Sequence, residues 1–168
     1  MQSLAPLALA LLGAPAPAEP PVVTSAFTKL DLDSCTPLND TEGLGWMEWQ
    51  CEGHSGRILF VQNGDDRYDL DAGVRDEDAL WAATFDYPGD TVEWRLRDGA
   101  PFAIIYRLKN ANPDRPASSK LMVETLGGEG KPGCRIAEID GASADANVLA
   151  RRAADSLLVE PATCLKAE

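Results

Sequence analysis

The sequence predicts an α+β domain: an antiparallel β-sheet of about seven to eight strands with a short middle helix and a C-terminal helix. Three observations carry this expectation. Short segments of alternating or doubly apolar character recur along the chain, separated by turns rich in Gly, Pro, Asn and Asp. A helical apolar spacing over more than two turns appears only near the C-terminus. The cysteines are even in number and widely spaced, as in a small cross-linked domain.

Thr28, Leu30 and Leu32 alternate with Lys29, Asp31 and Asp33, which reads as a half-buried strand. Trp46 to Cys51 alternates again, with Met47, Trp49 and Cys51 inward and Glu48 and Gln50 outward. Residues 57 to 62 are apolar on both faces and suit a central strand. Asn63-Gly64-Asp65 marks a turn, after which Arg67 to Leu70 returns. Asp76, Glu77 and Asp78 precede Ala79, Leu80, Ala82 and Ala83, so a short middle helix is expected between Arg75 and Ala83.

Residues 91 to 108 form the clearest hairpin. A three-residue loop of Arg97, Asp98 and Gly99 sets Trp94 opposite Phe102 and Val92 opposite Ile104, all on one face. A two-residue loop would place Arg95 against Phe102 and mix charge into the apolar side. After a surface loop from Asn110 to Ser119 come strands at Lys120 to Leu126 and Cys134 to Ile139. Ser143 is placed to cap the last helix, whose apolar stripe is Ala146, Leu149, Ala150, Ala153 and Leu157. Pro161 ends it.

The first residues bear on where the protein is finished. Leu4 to Leu12 is uncharged and largely apolar, about the size of a signal-peptide core and far short of the roughly 20 residues that span a bilayer. Ala16-Pro17-Ala18 follows as a small-x-small site. We expect residues 1–18 to be a signal peptide, 19–25 a flexible leader, and 26–168 a single disulfide-bonded α+β domain, periplasmic or secreted. The mature chain then has no membrane insertion.

Cys35, Cys51, Cys134 and Cys164 make no C-x-x-C pair, and His54 is the single histidine, so disulfides are favoured over metal. Of the three pairings, Cys35 with Cys51 and Cys134 with Cys164 is expected, because each pair brackets a short strand-loop or strand-helix unit. No cofactor site is legible in the sequence.

The formal net charge is −12, and it is uneven. From Asp31 to Glu93 sixteen acids face Arg57, Arg67 and Arg75, a local balance of −13, leaving +1 elsewhere. Such acidity argues against nucleic acid and anionic lipid as partners; it serves solubility first, and where charge matters for binding it points toward a cationic partner.

Gly53-His54-Ser55-Gly56-Arg57 approaches the G-x-S-x-G nucleophile elbow but has Arg57 in its last position. His54 and Ser55 are also neighbours in sequence, so in extended chain their side chains point to opposite faces. The segment reads as a polar turn. Asn63 to Asp71 lacks the sixth-position glycine and twelfth-position glutamate of an EF-hand frame and reads as an acidic turn. Trp46, on the opposite strand face from Trp49, is the indole left over for binding.

The stretches Leu30-Asp31-Leu32-Asp33-Ser34-Cys35, Trp49-Gln50-Cys51-Glu52-Gly53, Val92-Glu93-Trp94-Arg95-Leu96, Pro101-Phe102-Ala103-Ile104 and Cys134 through Asp155 resemble a family of short exported alphaproteobacterial proteins with no assigned activity. The segment Ser55-Gly56-Arg57-Ile58-Leu59 is similar to the Ser-Gly-x-x-Tyr loop of periplasmic lysozyme inhibitors, with Leu59 where tyrosine belongs and Phe60 one residue late. The second resemblance implies a small disulfide-bonded β protein that presents a loop to a basic enzyme.

The expected function is a non-catalytic envelope binding module, with His54, Ser55, Arg57 and Trp46 as the partner-binding loop and a basic protein or a cell-wall component as partner. The alternative is a hydrolase acting on an envelope polymer through carboxylates the sequence does not single out.

Overall fold

The computed structural model describes residues 21–39, 45–77 and 85–166. The expected signal peptide lies outside the described residues. Nine strands occur among those described: β1 (Val23–Lys29), β2 (Thr36–Pro37), β3 (Trp46–Glu52), β4 (Ile58–Gly64), β5 (Arg67–Ala72), β6 (Asp86–Arg97), β7 (Ala100–Asn110), β8 (Ser119–Thr125) and β9 (Arg135–Asp140). One α-helix, α1 (Ala146–Asp155), follows them.

The strands make two antiparallel sheets rather than one. Five strands are ordered β1-β6-β7-β8-β9 and four are ordered β2-β3-β4-β5. The chain leaves the first sheet after β1, builds the second as a meander, and returns at β6 to pair with β1 from Val23 opposite Arg97 to Lys29 opposite Thr91. Local alternation does not reveal this departure, because the period of two is the same in both sheets.

Alternate side chains of the larger sheet enter two different cores. Val92, Trp94, Ile104, Tyr106, Leu108 and Met122 pack with Leu59, Val61, Leu70 and Ala72 of the smaller sheet. Ala103, Ile105, Leu121 and Val123 face the other way and pack with Ala146, Ala150 and Ala154 of α1. The layers therefore run sheet, sheet, helix. α1 lays its three small residues on the sheet, while Leu149, expected in the buried stripe, is 37% exposed. The rotation also sets Arg151 on Glu93 at 2.7 Å and Asp155 on Arg95 at 2.8 Å. Asp145, not Ser143, holds the N-cap position, without a capping side-chain hydrogen bond, and the Ser143 backbone carbonyl accepts the N–H of Ala146 at 3.1 Å.

Further expectations shift. β1 begins at Val23, inside the stretch read as leader, and stops at Lys29. Leu32–Ser34 is a 3-10 turn, so the alternation through Asp33 is not one strand. Residues 75–77, where the middle helix was expected to begin, are not helical, and 78–83 lie outside the described residues. The Asp76 N–H is taken by the Asp71 side chain and its carbonyl by Gln62, which holds this segment against the sheet.

The hairpin of β6 and β7 has the two-residue loop, Asp98–Gly99, with both φ angles positive at 49° and 82°. A bulge between Arg95 and Leu96 then restores the faces: Arg95 lies opposite Ala103 and Trp94 opposite Ile104, with Val92 opposite Tyr106. One extra residue on β7 thus removes the conflict that the sequence argument held against the shorter turn.

Both disulfides have the expected partners. Cys35 is bonded to Cys51, with Cα atoms 4.6 Å apart, and Cys134 to Cys164 at 5.6 Å. They fit a protein finished in an oxidising, extracytoplasmic compartment. No helix among the described residues is long and apolar enough to cross a membrane.

Candidate functional site

β3 and β4 are joined by a five-residue turn from Gly53 to Arg57, with His54–Gly56 as a 3-10 element. The Gly53 N–H donates to the Arg57 carbonyl at 2.8 Å, and the Arg57 N–H to the His54 carbonyl at 3.1 Å. Ser55 is left-handed at φ 55°, ψ 38°, and Gly56 follows at φ 73°. Two consecutive left-handed residues push the tip outward, and Ser55 and Gly56 are both exposed.

The base of the turn is anchored in the core. A Cβ on Gly53 would lie 2.6 Å from Trp94 Cζ2 and 2.7 Å from the Arg57 carbonyl oxygen, so only glycine lets the turn close over the indole. Trp94 is fully buried and donates Nε1–H to Thr28 Oγ1 at 2.8 Å. The His54 ring sits 6.3 Å from the Trp94 ring, tilted by 40°. Half-buried Arg57 reaches toward Gly73, its Nη1 3.7 Å from where a Cβ on that glycine would stand.

Beside the turn is a hollow of about 430 Å³, lined by Lys29, Asp31, Ser34, the Cys35–Cys51 disulfide and Glu52–Gly53. Lys29 Nζ contacts Asp31 Oδ2 at 2.8 Å, and this hydrogen bond and charge hold the Asp31 carboxyl below the usual carboxylate range. The rim carries two acids and one lysine. It is open and mixed in polarity.

Comparison with protein-family models, curated proteins and solved structures finds no match to this chain.

The structure brings His54, Ser55 and Arg57 together but not Trp46. Trp46 pairs with Gly64 at the far end of β3, and six residue steps of about 3.4 Å put it roughly 20 Å away.

A dense charge cluster lies elsewhere, largely buried between the sheets. Arg135 on β9 donates from Nη2 to Asp69 on β5 at 2.6 Å and to Tyr106 Oη on β7 at 3.1 Å. Its Nε donates to Glu124 on β8 at 3.2 Å. Tyr106 Oη donates to Glu124 at 2.6 Å. Each of the four is at most 4% exposed. Burial pushes the Glu124 carboxyl well above the carboxylate range, and the Asp69 charge adds to the rise against the pull of Arg135. Burial likewise raises the Tyr106 phenol. Arg135 Nη1 also donates to partly exposed Glu138 at 3.2 Å, and the group ties β5 of one sheet to β7, β8 and β9 of the other.

The sequence argument missed this quartet by reading acids as solvated. One signal was present: Leu121, Met122 and Val123 are apolar on both faces, so Glu124 continues a strand that is buried on either side. The acidic stretch is also less exposed than its −13 suggests. Glu48, Asp69, Asp71, Asp86 and Glu93 are buried, whereas Asp33, Glu52, Asp65, Asp66, Glu77 and Asp90 remain on the surface.

Proposed function

We propose that this protein is an exported, non-catalytic binding module that presents the Ser55–Gly56 turn to a basic protein, in the manner of a lysozyme inhibitor. The observation that carries the reading is the turn itself: an exposed, doubly left-handed tip on a base fixed by Gly53 over Trp94 and by the adjacent Cys35–Cys51 bond. A tip already held in one conformation loses little entropy on docking. Glu52 and Asp31 beside it supply the sign of charge that attracts a cationic partner.

The sheet-and-disulfide scaffold supports the same reading, since loops on a rigid frame are the usual place for recognition. The buried carboxylates give no support to hydrolysis, because Asp69 and Glu124 are occupied by Arg135 and Tyr106.

The test is titration of a basic lysozyme with the mature protein at low and high salt, alongside a Ser55→Ala, Arg57→Ala double variant. Inhibition that weakens with salt and is lost in the variant is the expected result. Binding that ignores the substitutions assigns the attraction to bulk charge, and no inhibition at micromolar protein and low salt ends the proposal.

A further inference from the structure

Gln62 on β4 and Asp71 on β5 are 1% and 4% exposed. Asp71 Oδ2 accepts the Asp76 N–H at 2.8 Å and the Gln62 Nε2–H at 3.1 Å, while the same Nε2 donates to the Asp76 carbonyl at 2.6 Å. The three residues close a ring that pins residues 73–77 to the smaller sheet. Arg75 adds a second tie, its Nη1 on both oxygens of buried Glu48 at 3.2 and 2.9 Å.

One atom of the ring is left over. Gln62 Oε1 is buried without a hydrogen-bond partner among the described residues, an arrangement that is costly unless a donor is supplied. An amide and a carboxylic acid already joined by one N–H···O bond complete a cyclic pair when the second acid oxygen carries a proton and gives it to the amide oxygen. We propose that Asp71 is held as the neutral acid, donating from Oδ1 to Gln62 Oε1, and that loss of this proton loosens residues 73–77, making the ring a proton-operated clasp.

The surroundings favour the neutral form. Asp69 stands on the same strand and Asp76 in the pinned segment. Glu48 on β3 stands opposite Gln62, while Glu124 on β8, whose own carboxyl burial holds toward the neutral form, adds no charge at Asp71. The neighbouring cations are committed elsewhere, Arg135 to Asp69 and Glu124, and Arg75 to Glu48. Burial pushes the Asp71 carboxyl up to about 7. The charges of Asp69 and Asp76 add to the rise, and the donated bonds from the Asp76 N–H and Gln62 oppose it. As pH climbs through this value the carboxylate forms in a buried site and Gln62 Oε1 loses its donor together with the proton.

The test combines a carbon-detected NMR titration of the Asp71 carboxyl with hydrogen-exchange protection of the Asp76 amide, in the wild type and in Asp71→Asn. The asparagine mimics the neutral acid, its Nδ2–H replacing the proton at every pH. Expected are a wild-type carboxyl titrating near 7 and an Asp76 protection factor that falls about tenfold between mildly acidic and mildly alkaline pH. In Asp71→Asn the protection should stay level. A carboxyl titrating in the ordinary range near 4 overturns the proposal, and so does an Asp71→Asn amide that loses protection as the wild type does. The titration needs no variant, so it decides the matter even if the asparagine protein does not fold.

Discussion

Arg135 reaches Asp69 at 2.6 Å across 66 residues of chain, linking the edge strand of one sheet to the edge strand of the other. The guanidinium is 1% exposed and the carboxylate 5%, so the pair has left water altogether. Its attraction offsets desolvation only while every partner is present.

Removing the cation should therefore be severe. Arg135→Met leaves Asp69 buried without a counter-charge and Glu124 without its guanidinium donor, and a loss of about 3–5 kcal/mol is expected from denaturant midpoints. Glu124→Gln should cost far less, because burial already holds this carboxyl well above the usual range and an amide resembles its neutral form. Equal losses for the two variants would refute this account of the cluster.

Stability should fall as pH rises from about 4 toward neutrality. Asp86 is 3% exposed, and Oδ1 accepts the Tyr68 N–H at 3.0 Å while Oδ2 has no partner among the described residues. Burial pushes its carboxyl from 3.8 up to about 6, the Tyr68 bond and Arg135 pulling down and the Asp69 and Glu138 charges pushing up. A raised folded value means that the stabilisation is complete below the unfolded value of 3.8 and is lost as pH climbs through about 6. Asp71, raised to about 7, acts in the same sense over a window that extends further. Thermal midpoints measured from pH 4 to 8 should decline, and Asp86→Asn should flatten the part below about 6, a difference on the order of 1–3 kcal/mol. A midpoint that rises over this range would contradict it.

The binding turn should answer differently to two glycine substitutions. Gly53→Ala drives a Cβ into Trp94 and the Arg57 carbonyl, and a loss of about 1–3 kcal/mol with displacement of the whole turn is expected. Gly56→Ala meets no atom within 4 Å but keeps a φ of 73°, so only backbone strain of about 1 kcal/mol is expected. Calorimetry and the tryptophan fluorescence of the two variants check the contrast, which disappears if Trp94 does not rest on Gly53.

Much of this protein was legible in its residues. Alternating or doubly apolar runs placed β3, β4 and β6 to β9, and helical spacing placed the C-terminal helix, because side-chain direction along a strand or helix is a local property. The cysteine pairing was legible too, since each bond closes a short unit of 16 or 30 residues. The turn at Ser55 could be named but not shaped: its exposure rests on Gly53 meeting Trp94, a contact between different sheets.

What only the tertiary structure decided depends on residues far apart in the chain. The split into two sheets follows from β1 pairing with β6 across the whole of the smaller sheet, and nothing in either strand alone encodes that partner. The bulge opposite Arg95 chose between two hairpin registers by a non-local criterion, that of keeping Trp94 in the core and Arg95 on Asp155. The fate of the acids was settled the same way. A carboxylate reads as solvated in sequence, but Asp69, Asp71 and Glu124 lie where neighbouring strands and the opposing sheet exclude water. Whether such a group is tolerated there depends on donors such as Arg135, Tyr106 and Gln62 arriving from other strands.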